Sequence, residues 1–374
     1  MSDKRQQLSI LDQWASQSGQ VSRSTERLSE IDAFIEWEPL YEVGRRIDKT
    51  GPQGGQPRKP VRWMIRGLFL QHLYQLSDPQ LEDQLIDRLS FRRFAGLPLD
   101  QKVPDFTTFW RFREALGAEG LIEELFARIT QQLEGKGLIL KRGTVVDAAI
   151  MESSGRPLRA DKRAELETNP SPQIDTDADS TKKGGRYYFG YKGHIGVDVG
   201  SKLIRKLSFT KASPHDSTQL EELLSGDERA IFGDKAYPSK DLKMRCRAEG
   251  TYYGILDKAY RNNPLSRSQT RRNTRKRRVR RYVEHPFAAI KDRYGMRVAT
   301  AKTKLRNKSR FVMSAICWNI ERGISWAKKQ HPVTPACAPL MGEVYPIAAE
   351  TAVAPDFSGK KPRYSYDKCR FNPV

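Results

Sequence analysis

Cysteine is scarce in this chain. The 374 residues hold four, Cys246, Cys317, Cys337 and Cys369, widely spaced and with no Cys-x-x-Cys pair. That spacing excludes a disulfide framework and a thiolate zinc site, and reads as reduced intracellular thiols. Long apolar runs are missing too. The most apolar stretch, Trp63–Leu76, is too short to span a bilayer and contains Arg66 and His72, and the first residues, MSDKRQQLSI, have no apolar signal core. Neither a membrane nor export is therefore expected. No internal repeat is visible. Acidic residues are in deficit: 45 Asp and Glu face 66 Lys and Arg, a net charge of +21. Solubility does not require such an excess, and a polyanion is its natural partner. A hydrophobic content of 38% supports a core and excludes a disordered basic tail. The length allows one large domain or two of ordinary size.

The charge is unevenly placed. Eight of the eleven residues Arg271–Arg281 are Lys or Arg, and a second basic run covers Arg297–Arg310. Such runs suit a surface that tracks phosphates. Within the stretch Arg277–Gly295, RRVRRYVEHPFAAIKDRYG, stands one carboxylate, Glu284. At about 100° per residue, Lys291 returns to within about 20° of Glu284 on a helix, while Val283, Phe287, Ile290 and Tyr294 form an apolar stripe beside it. Pro286 fits only a first turn, so the helix is expected to begin near Glu284, with Arg280 just before it. Alone, Glu284 reads as a solvated carboxylate at a helix start. Partners elsewhere would change that reading, because carboxylates can hold a divalent cation on a phosphate-bearing substrate.

Residues 1–60 are polar and weakly patterned, closing in the linker-like loop Thr50–Pro60. Helical patterns follow: Trp63–Leu76; a helix opened by Asp78-Pro79 that carries Leu81, Leu85 and Leu89 to Gly96; one capped by Asp105 with Phe109, Phe112 and Leu116; and one marked by Leu121, Leu125, Ile129 and Leu133. The segments Leu81–Phe94 and Phe106–Leu116 read either as a helix-turn-helix with Arg111 and Arg113 facing DNA or as bundle packing. At Gly137 the pattern turns to strands. Thr144–Ile150 is a β run with Asp147 at its centre, a costly place for an acid unless it faces an edge, a partner or a metal. A polar excursion over Arg156–Thr181 reads as a flexible loop. Tyr187–Val199 and Leu203–Thr210 form an antiparallel hairpin about Gly200-Ser201. A helix over Ser213–Leu224, a strand Arg229–Phe232 ending in Gly233-Asp234-Lys235-Ala236-Tyr237, a helix Ser239–Ala248 and a strand Thr251–Leu256 come next. The basic loop, the Glu284 helix and a helix over Ser309–Trp326 complete the pattern. The chain beyond Pro332 is Pro- and Ala-rich and is expected to be poorly ordered.

This order predicts a mixed α/β sheet whose first and fourth strands are neighbours, bringing Asp147 beside Asp234, with a helix delivering Glu284. Paired carboxylates bind Mg²⁺ well, and two such ions roughly 4 Å apart can drive an in-line displacement at phosphorus. That chemistry requires no histidine, which suits a chain with five. The ordered set FRRFAGLPLD, PDFTTFWRFREAL, GTVVDAAIMES, TKKGGRYYFGYKGHIGVD, SPHDSTQLEELL, IFGDKAY and RYVEHPFAAIKDRYG, from about Leu76 to Trp326, resembles the DDE transposases of bacterial insertion sequences, specifically the insertion-sequence-five group. The resemblance implies a ribonuclease-H-like catalytic core. It also implies that Asp147, Asp234 and Glu284 form a catalytic triad holding Mg²⁺, with Mn²⁺ as a substitute. Arg280 and Lys291 match the arginine and lysine of the signature around the glutamate. Where the wider group often has a tyrosine, three residues before that arginine, this chain has Arg277.

DNA contact is expected from Arg277, Arg278, Arg280, Arg281, Lys291, Lys192, Lys182 and Lys183. Lys192 and His194 share a strand face; His194 reads equally as a satisfied core or surface residue. Asp198 reads as a hairpin-end hydrogen-bonding acid, Asp216 as an N-cap and Glu152 as solvated. Of the rings at Tyr187, Tyr188, Phe189 and Tyr191, some can stack on unpaired bases and others must be core. The division expected is 1–60 as segment and linker, 61–136 as a helical DNA-binding or dimerisation domain, 137–330 as the catalytic domain and 331–374 as a tail. The activity implied is cleavage at terminal inverted repeats and joining to target DNA, in the cytoplasm, with at least a dimer pairing two ends of double-stranded DNA. A nuclease or resolvase that cuts without joining, and an inactive transposase-derived regulator, are the competing readings.

Overall fold

A computed structural model describes residues 22–47, 58–169, 171 and 173–330. Most of the expected linker and the whole expected tail lie outside the described residues. The helical part begins earlier than its pattern suggested. Helix α1 (Arg23–Phe34) is capped by Ser22, which accepts from Thr25 N, and α2 covers Glu38–Arg45. Their buried residues Leu28, Ile31, Leu40, Tyr41 and Val43 are interleaved with charges, which is why the stretch reads as polar.

Helix α3 (Val61–Leu73) is followed by α4 (Asp78–Asp87). The cap of α4 is Ser77, one residue before the expected Asp78, in a reciprocal box with Gln80. The expected single helix to Gly96 is broken at Arg88, whose backbone is extended, and restarts as α5 (Leu89–Ala95). The break turns Leu89 out to solvent and Phe91 and Phe94 into the core. Helices α6 (Phe106–Ala118, capped by Asp105) and α7 (Leu121–Gly135) match their patterns. Arg113 makes a two-point ion pair with Asp78 at 2.6 and 2.9 Å and also reaches Gln71, so it ties α6 to α4; Arg111 is exposed. For Arg113, bundle packing is what the structure shows.

Seven strands form one mixed sheet: β1 (Thr144–Ser153), β2 (Asp179–Lys183), β3 (Arg186–Asp198), β4 (Ile204–Lys211), β5 (Ala230–Gly233), β6 (Tyr252–Ile255) and β7 (Val298–Ala299). The order is β2-β3-β1-β5-β6, with β4 also on β3 and β7 also on β1. β1 is antiparallel to β3 and parallel to β5, so the first and fourth strands of the expected order are indeed neighbours. Gly190 marks the point where β3 exchanges β2 for β4 as its neighbour. Its φ is +152°, and a Cβ there would stand 2.2 Å from Met151 O. The expected loop over 156–181 contains helix α8 (Ala160–Thr168) and β2. Its anchor is polar: Asp175 is buried and accepts from Ser153 Oγ, Tyr191 OH and the backbone of Asp177 and Ala178. No apolar period announces such a segment. Ser213–Leu224, expected as a helix, forms two 3₁₀ turns, Asp216–Gln219 and Glu221–Leu223.

Helix α9 (Lys240–Ala248) starts from the Ser239 cap. The basic stretch expected as a loop is a helix, α10 (Arg267–Arg280), opened by a reciprocal Ser266–Gln269 box. It continues through a 3₁₀ turn (Arg281–Val283) into α11 (Glu284–Ala288) and a π turn (Ala289–Arg293). The change of helix type ahead of Pro286 has a plain cause: proline donates no N–H and its ring crowds the carbonyl four residues back. Helix α12 (Lys304–Gln330) is the last element of the described residues and clamps β4 through Asn319, which bonds both Ile204 N and Ile204 O.

One continuous core runs from Leu28 of α1 through Val145, Ile195 and Phe209 of the sheet to Ile320 of α12. A smaller core, of Val146, Leu220, Leu223, Ile231, Tyr237, Leu242, Cys246 and Ile255, covers the opposite sheet face. Cys246 and Cys317 are buried free thiols. Among the described residues no helix is long and apolar enough to cross a membrane.

Candidate active site

Asp147 lies midway along β1, opposite Ile195 of β3. β1 and β5 run parallel with Thr144 beside Ile231 and Val145 beside Phe232. Two further steps along that register bring Asp234, the first residue beyond β5, level with Asp147. The side chains converge on one group: Arg280 Nη2 is 3.0 Å from Asp147 Oδ2 and 4.0 Å from Asp234 Oδ2. Asp147 also accepts from Ala148 N at 3.0 Å, and Asp234 from Lys235 N at 2.6 Å. Burial pushes the Asp147 carboxyl above the usual carboxylate range against the pull of Arg280, and Asp234 adds to the rise. For Arg280, burial opposes the charge, but Asp147, Asp234 and Glu284 more than offset it and raise the guanidinium above its ordinary value.

Arg280 is delivered by helix α10, whose inner face is polar. Asn273 bonds Asp257 N and Asp257 O, and Lys276 donates to Ile255 O at 2.6 Å. Asn273, Lys276 and Arg280 recur three and four residues apart, which places them on one helical stripe. The stripe that docks the helix on the end of β6 therefore also carries its guanidinium to the aspartates. Arg277, Arg278 and Arg281 are exposed.

Glu284 is exposed and lies one turn beyond Arg280. It acts on Arg280 electrostatically, but among the described residues no three His, Cys, Asp or Glu side chains stand together as a ready ligand set. The structure assembles the aspartate pair with Arg280. Lys291 sits in the π turn, whose wider winding upsets the 100° phase that aligned it with Glu284. It is half-buried and pushed down by burial, with Lys183 and Arg297 acting in the same direction against Asp292 and Glu152.

Lys192 is placed on the other sheet face. Val146 pairs with Gly196 and Ala148 with His194, so by strand alternation Lys192 and His194 face away from Asp147. Lys192 is buried, 2.9 Å from Asp216 Oδ1 and 2.8 Å from Pro214 O. Its charge is thus spent on Asp216, which is an ion-pair partner where an N-cap was expected; the capping side chain is His215. His194 is fully buried, with Nε2 2.9 Å from Thr210 Oγ1. Asp198 accepts from the backbone of Leu140, Lys141 and Ser201, the hairpin-end role expected of it. Lys182 and Lys183 are exposed on β2, with Lys182 Nζ 5.1 Å from the centre of the Tyr187 ring. Tyr187 is exposed; Tyr191 is core, stacked on Phe209.

Two residues next to Arg280 and Asp234 do not stand out in the sequence. Lys276 stands among phosphate-seeking cations in the sequence, and only its spacing to Arg280 sets it apart. Tyr237, three residues after Asp234, is 1% exposed and packs with Val146 and Ile231 in the smaller core.

The donor set suits a divalent cation. Two carboxylates on adjacent strands face one point, and with Glu284 they outnumber the one guanidinium among them, making a local negative centre in a strongly cationic chain. Arg280 Nε is buried and has no hydrogen-bond partner among the described residues, so the guanidinium is only partly satisfied where it stands.

Two family models match the chain. Residues 16–115 match a transposase domain (DUF772), and residues 140–320 match the transposase DDE domain, the segment that contains Asp147, Asp234 and Glu284. Among solved structures, a cryo-EM structure of the piggyBac transposase synaptic complex with hairpin DNA is similar over 83% of this chain and 82% of that one. The identity is 12% and the TM-score 0.37, a likeness that adds nothing to the assignment. A transposase model thus matches the helical part, and the transposase DDE domain matches the sheet and the later helices, so both matched segments are similar to transposases.

Proposed function

We propose that the protein cleaves DNA at the terminal inverted repeats of an insertion sequence of the insertion-sequence-five group and joins the freed 3′-hydroxyl to target DNA. The observation that carries the proposal is the convergence of Asp147 and Asp234, from neighbouring parallel strands, on Arg280 of a basic helix. The order β4-β3-β1-β5-β6 supports reading the sheet as a ribonuclease-H-like core. Asp147 and Asp234 are the residues to hold Mg²⁺, or Mn²⁺ in its place, with Glu284 as the third acid. Bound there, divalent ions would supply activation of the attacking oxygen and stabilisation of the leaving one in an in-line displacement at phosphorus.

The chain's own groups do the rest. Arg277, Arg278 and Arg281, exposed beside the site, bind phosphates on either side of the scissile bond without reading sequence. Lys182 and Lys183 extend that surface from β2, and Lys291 from the π turn. Arg280 keeps the aspartates in register and is available to the transferring phosphate. Pairing two ends requires at least a dimer on double-stranded DNA, in the bacterial cytoplasm.

The test incubates the full chain with DNA carrying the element's ends, a target plasmid and MgCl₂. Wild type is expected to nick the ends and yield joined product. Asp147→Asn and Asp234→Asn are each expected to lose about a hundredfold or more in cleavage while still binding DNA. Cleavage by Asp147→Asn at the wild-type rate would sink the site, and cleavage with no joined product would leave a nuclease.

A further inference from the structure

Strands β2 and β3 continue past the rest of the sheet as a two-stranded ribbon. β1 pairs with β3 as far as Glu152 opposite Gly190, and beyond that point β3 has only β2 beside it. The turn is Gly184-Gly185, with φ of +59° and +85°, the left-handed pair that a two-residue hairpin turn requires. Every residue from Lys182 to Tyr187 is exposed. Successive strand residues point to opposite faces, so neither face of this tip rests on the core.

The tip is one-sided in charge. Lys182, Lys183 and Arg186 are half of its residues, and no acid stands between Asp179 and Asp198. Among the described residues the three cations make no ion pair; Lys182 Nζ lies 5.1 Å from the centre of the Tyr187 ring and the Arg186 guanidinium 5.3 Å from that of Tyr188. Lysines on an edge strand guard against aggregation, but an aromatic ring left 72% exposed, as Tyr187 is, works against such a guard. Rings held beside unpaired cations suit a partner that offers bases and phosphates together.

Register ties the ribbon to the site. Ile195, opposite Asp147, shares a face of β3 with Tyr191, Phe189 and Tyr187, and Lys182 is paired with Tyr187 on that face; Lys183 and Arg186 take the other. Five residues of β1 separate Asp147 from Glu152, and three of β3 separate Gly190 from Tyr187, together about 25 Å at 3.3 Å per strand residue. That is the length of about seven steps of a duplex at 3.4 Å each.

We infer that the β2–β3 ribbon enters the major groove of the element's end about seven base pairs from the scissile phosphate, with Arg186 on a purine edge, Tyr187 against the neighbouring bases, and Lys182 and Lys183 on the backbones to either side. The inference rests on the proposed action at element ends and deepens it by naming an element that reads their sequence. A major groove about 12 Å wide admits a two-stranded ribbon, and an arginine there pairs with the N7 and O6 acceptors of guanine. Cations on both ribbon faces meet both walls of the groove.

The experiment measures binding of the full chain, without divalent metal so that nothing is cut, to end-bearing duplexes in which single purines are replaced by their 7-deaza forms. Each replacement removes one major-groove acceptor, and every base pair holds one purine. Wild type is expected to lose about tenfold in affinity at one or more positions five to ten base pairs from the cut, the size of one bidentate base contact. Arg186→Gln is expected to be insensitive to those replacements and to discriminate end from scrambled DNA about tenfold less well. Tyr187→Ala is expected to weaken end binding, and both variants to melt like wild type, as exposed substitutions do. Insensitivity of wild type throughout that interval would overturn the inference and leave the proposed cleavage standing. Equal weakening of Arg186→Gln on end and scrambled DNA would overturn it by showing phosphate contact alone, and a lower melting temperature with unchanged discrimination would overturn it by showing a packing role. Wild type that bound end and scrambled DNA equally and cut neither with MgCl₂ would remove the proposed function, and the inference with it.

Discussion

Single side chains in this protein are governed by burial more than by their neighbours, and His72 shows how far that goes. It lies on α3 at 8% exposure, with Nδ1 2.8 Å from Leu68 O. Burial pushes its imidazole down to about 3; the Leu68 carbonyl opposes this, and Arg113 and Arg310 reinforce it. The folded value is depressed below the unfolded one, so the neutral ring contributes its full stability above about pH 6.5 and loses it as the pH falls towards 3. In that window the unfolded chain takes up a proton that the native state refuses, a slope of about 1.4 kcal/mol per pH unit. His194, held down to about 4 chiefly by burial, adds a second such slope. Replacing His72 with Gln, of similar size and without a titrating proton, removes the first. Between pH 7 and pH 5, wild type is expected to lose about 2 kcal/mol more than His72→Gln, measured by urea unfolding at the two pH values. Equal losses would mean that His72 is solvated.

Helix α10, which carries Arg280 to the aspartates, has a faint signal in the sequence. It has no apolar period, and its two buried residues are Asn273 and Lys276. Polar side chains anchor it, so the hydrophobic signal that revealed α7 and α12 was absent. The Ser266-x-x-Gln269 box was the remaining clue. In the sheet the opposite held: Val145, Val146 and Ile150 around an acid, and a strand ending at Asp234, were enough to place both aspartates side by side. Glu284 is harder to place because an ideal-helix angle does not hold where the chain changes winding, at Arg281–Val283 and again at Ala289–Arg293. Opposite the Asn273 stripe, Arg271, Arg275 and Arg278 form an exposed row. Changing all three to Gln is expected to leave the melting temperature nearly unchanged, as surface substitutions do. DNA affinity should fall, and the slope of log affinity against log salt should shrink by about 0.9 for each phosphate contact removed. Asn273→Ala should behave in the reverse way, costing about 1–3 kcal/mol of stability through the Asp257 backbone groups it leaves unpaired. Filter binding over a salt series, paired with thermal melts, separates the two; an unchanged salt slope in the triple variant would show that the row does not touch DNA.

The division at residue 137 that the change of pattern suggested is not a division of the core. Met313, Ile316 and Ile320 of α12 line one small cavity with Leu40, Ile65, Leu68, Leu125 and Ile129 of the helical part. The same helix places Phe311 under Gly193 of β3, where a Cβ would stand 2.6 Å from the ring, and grips β4 through Asn319. α12 thus belongs to both halves, and pattern could not show this because an amphipathic helix reveals which face is apolar, not what that face covers. Burying an aliphatic side chain contributes about 1.5–3 kcal/mol, so three of them on α12 account for a sum comparable with the 5–15 kcal/mol that holds an ordinary domain together. Residues 137–330 produced alone should therefore fail to fold, exposing that face and aggregating, although they span the whole matched DDE segment. The intact chain should unfold in one transition, with far-ultraviolet circular dichroism and the fluorescence of Trp37, Trp63 and Trp318 changing together. A soluble 137–330 fragment with a cooperative melt of its own would show that the shared core is dispensable. It would also free the helical part to move independently of the aspartates, which the shared helix otherwise prevents.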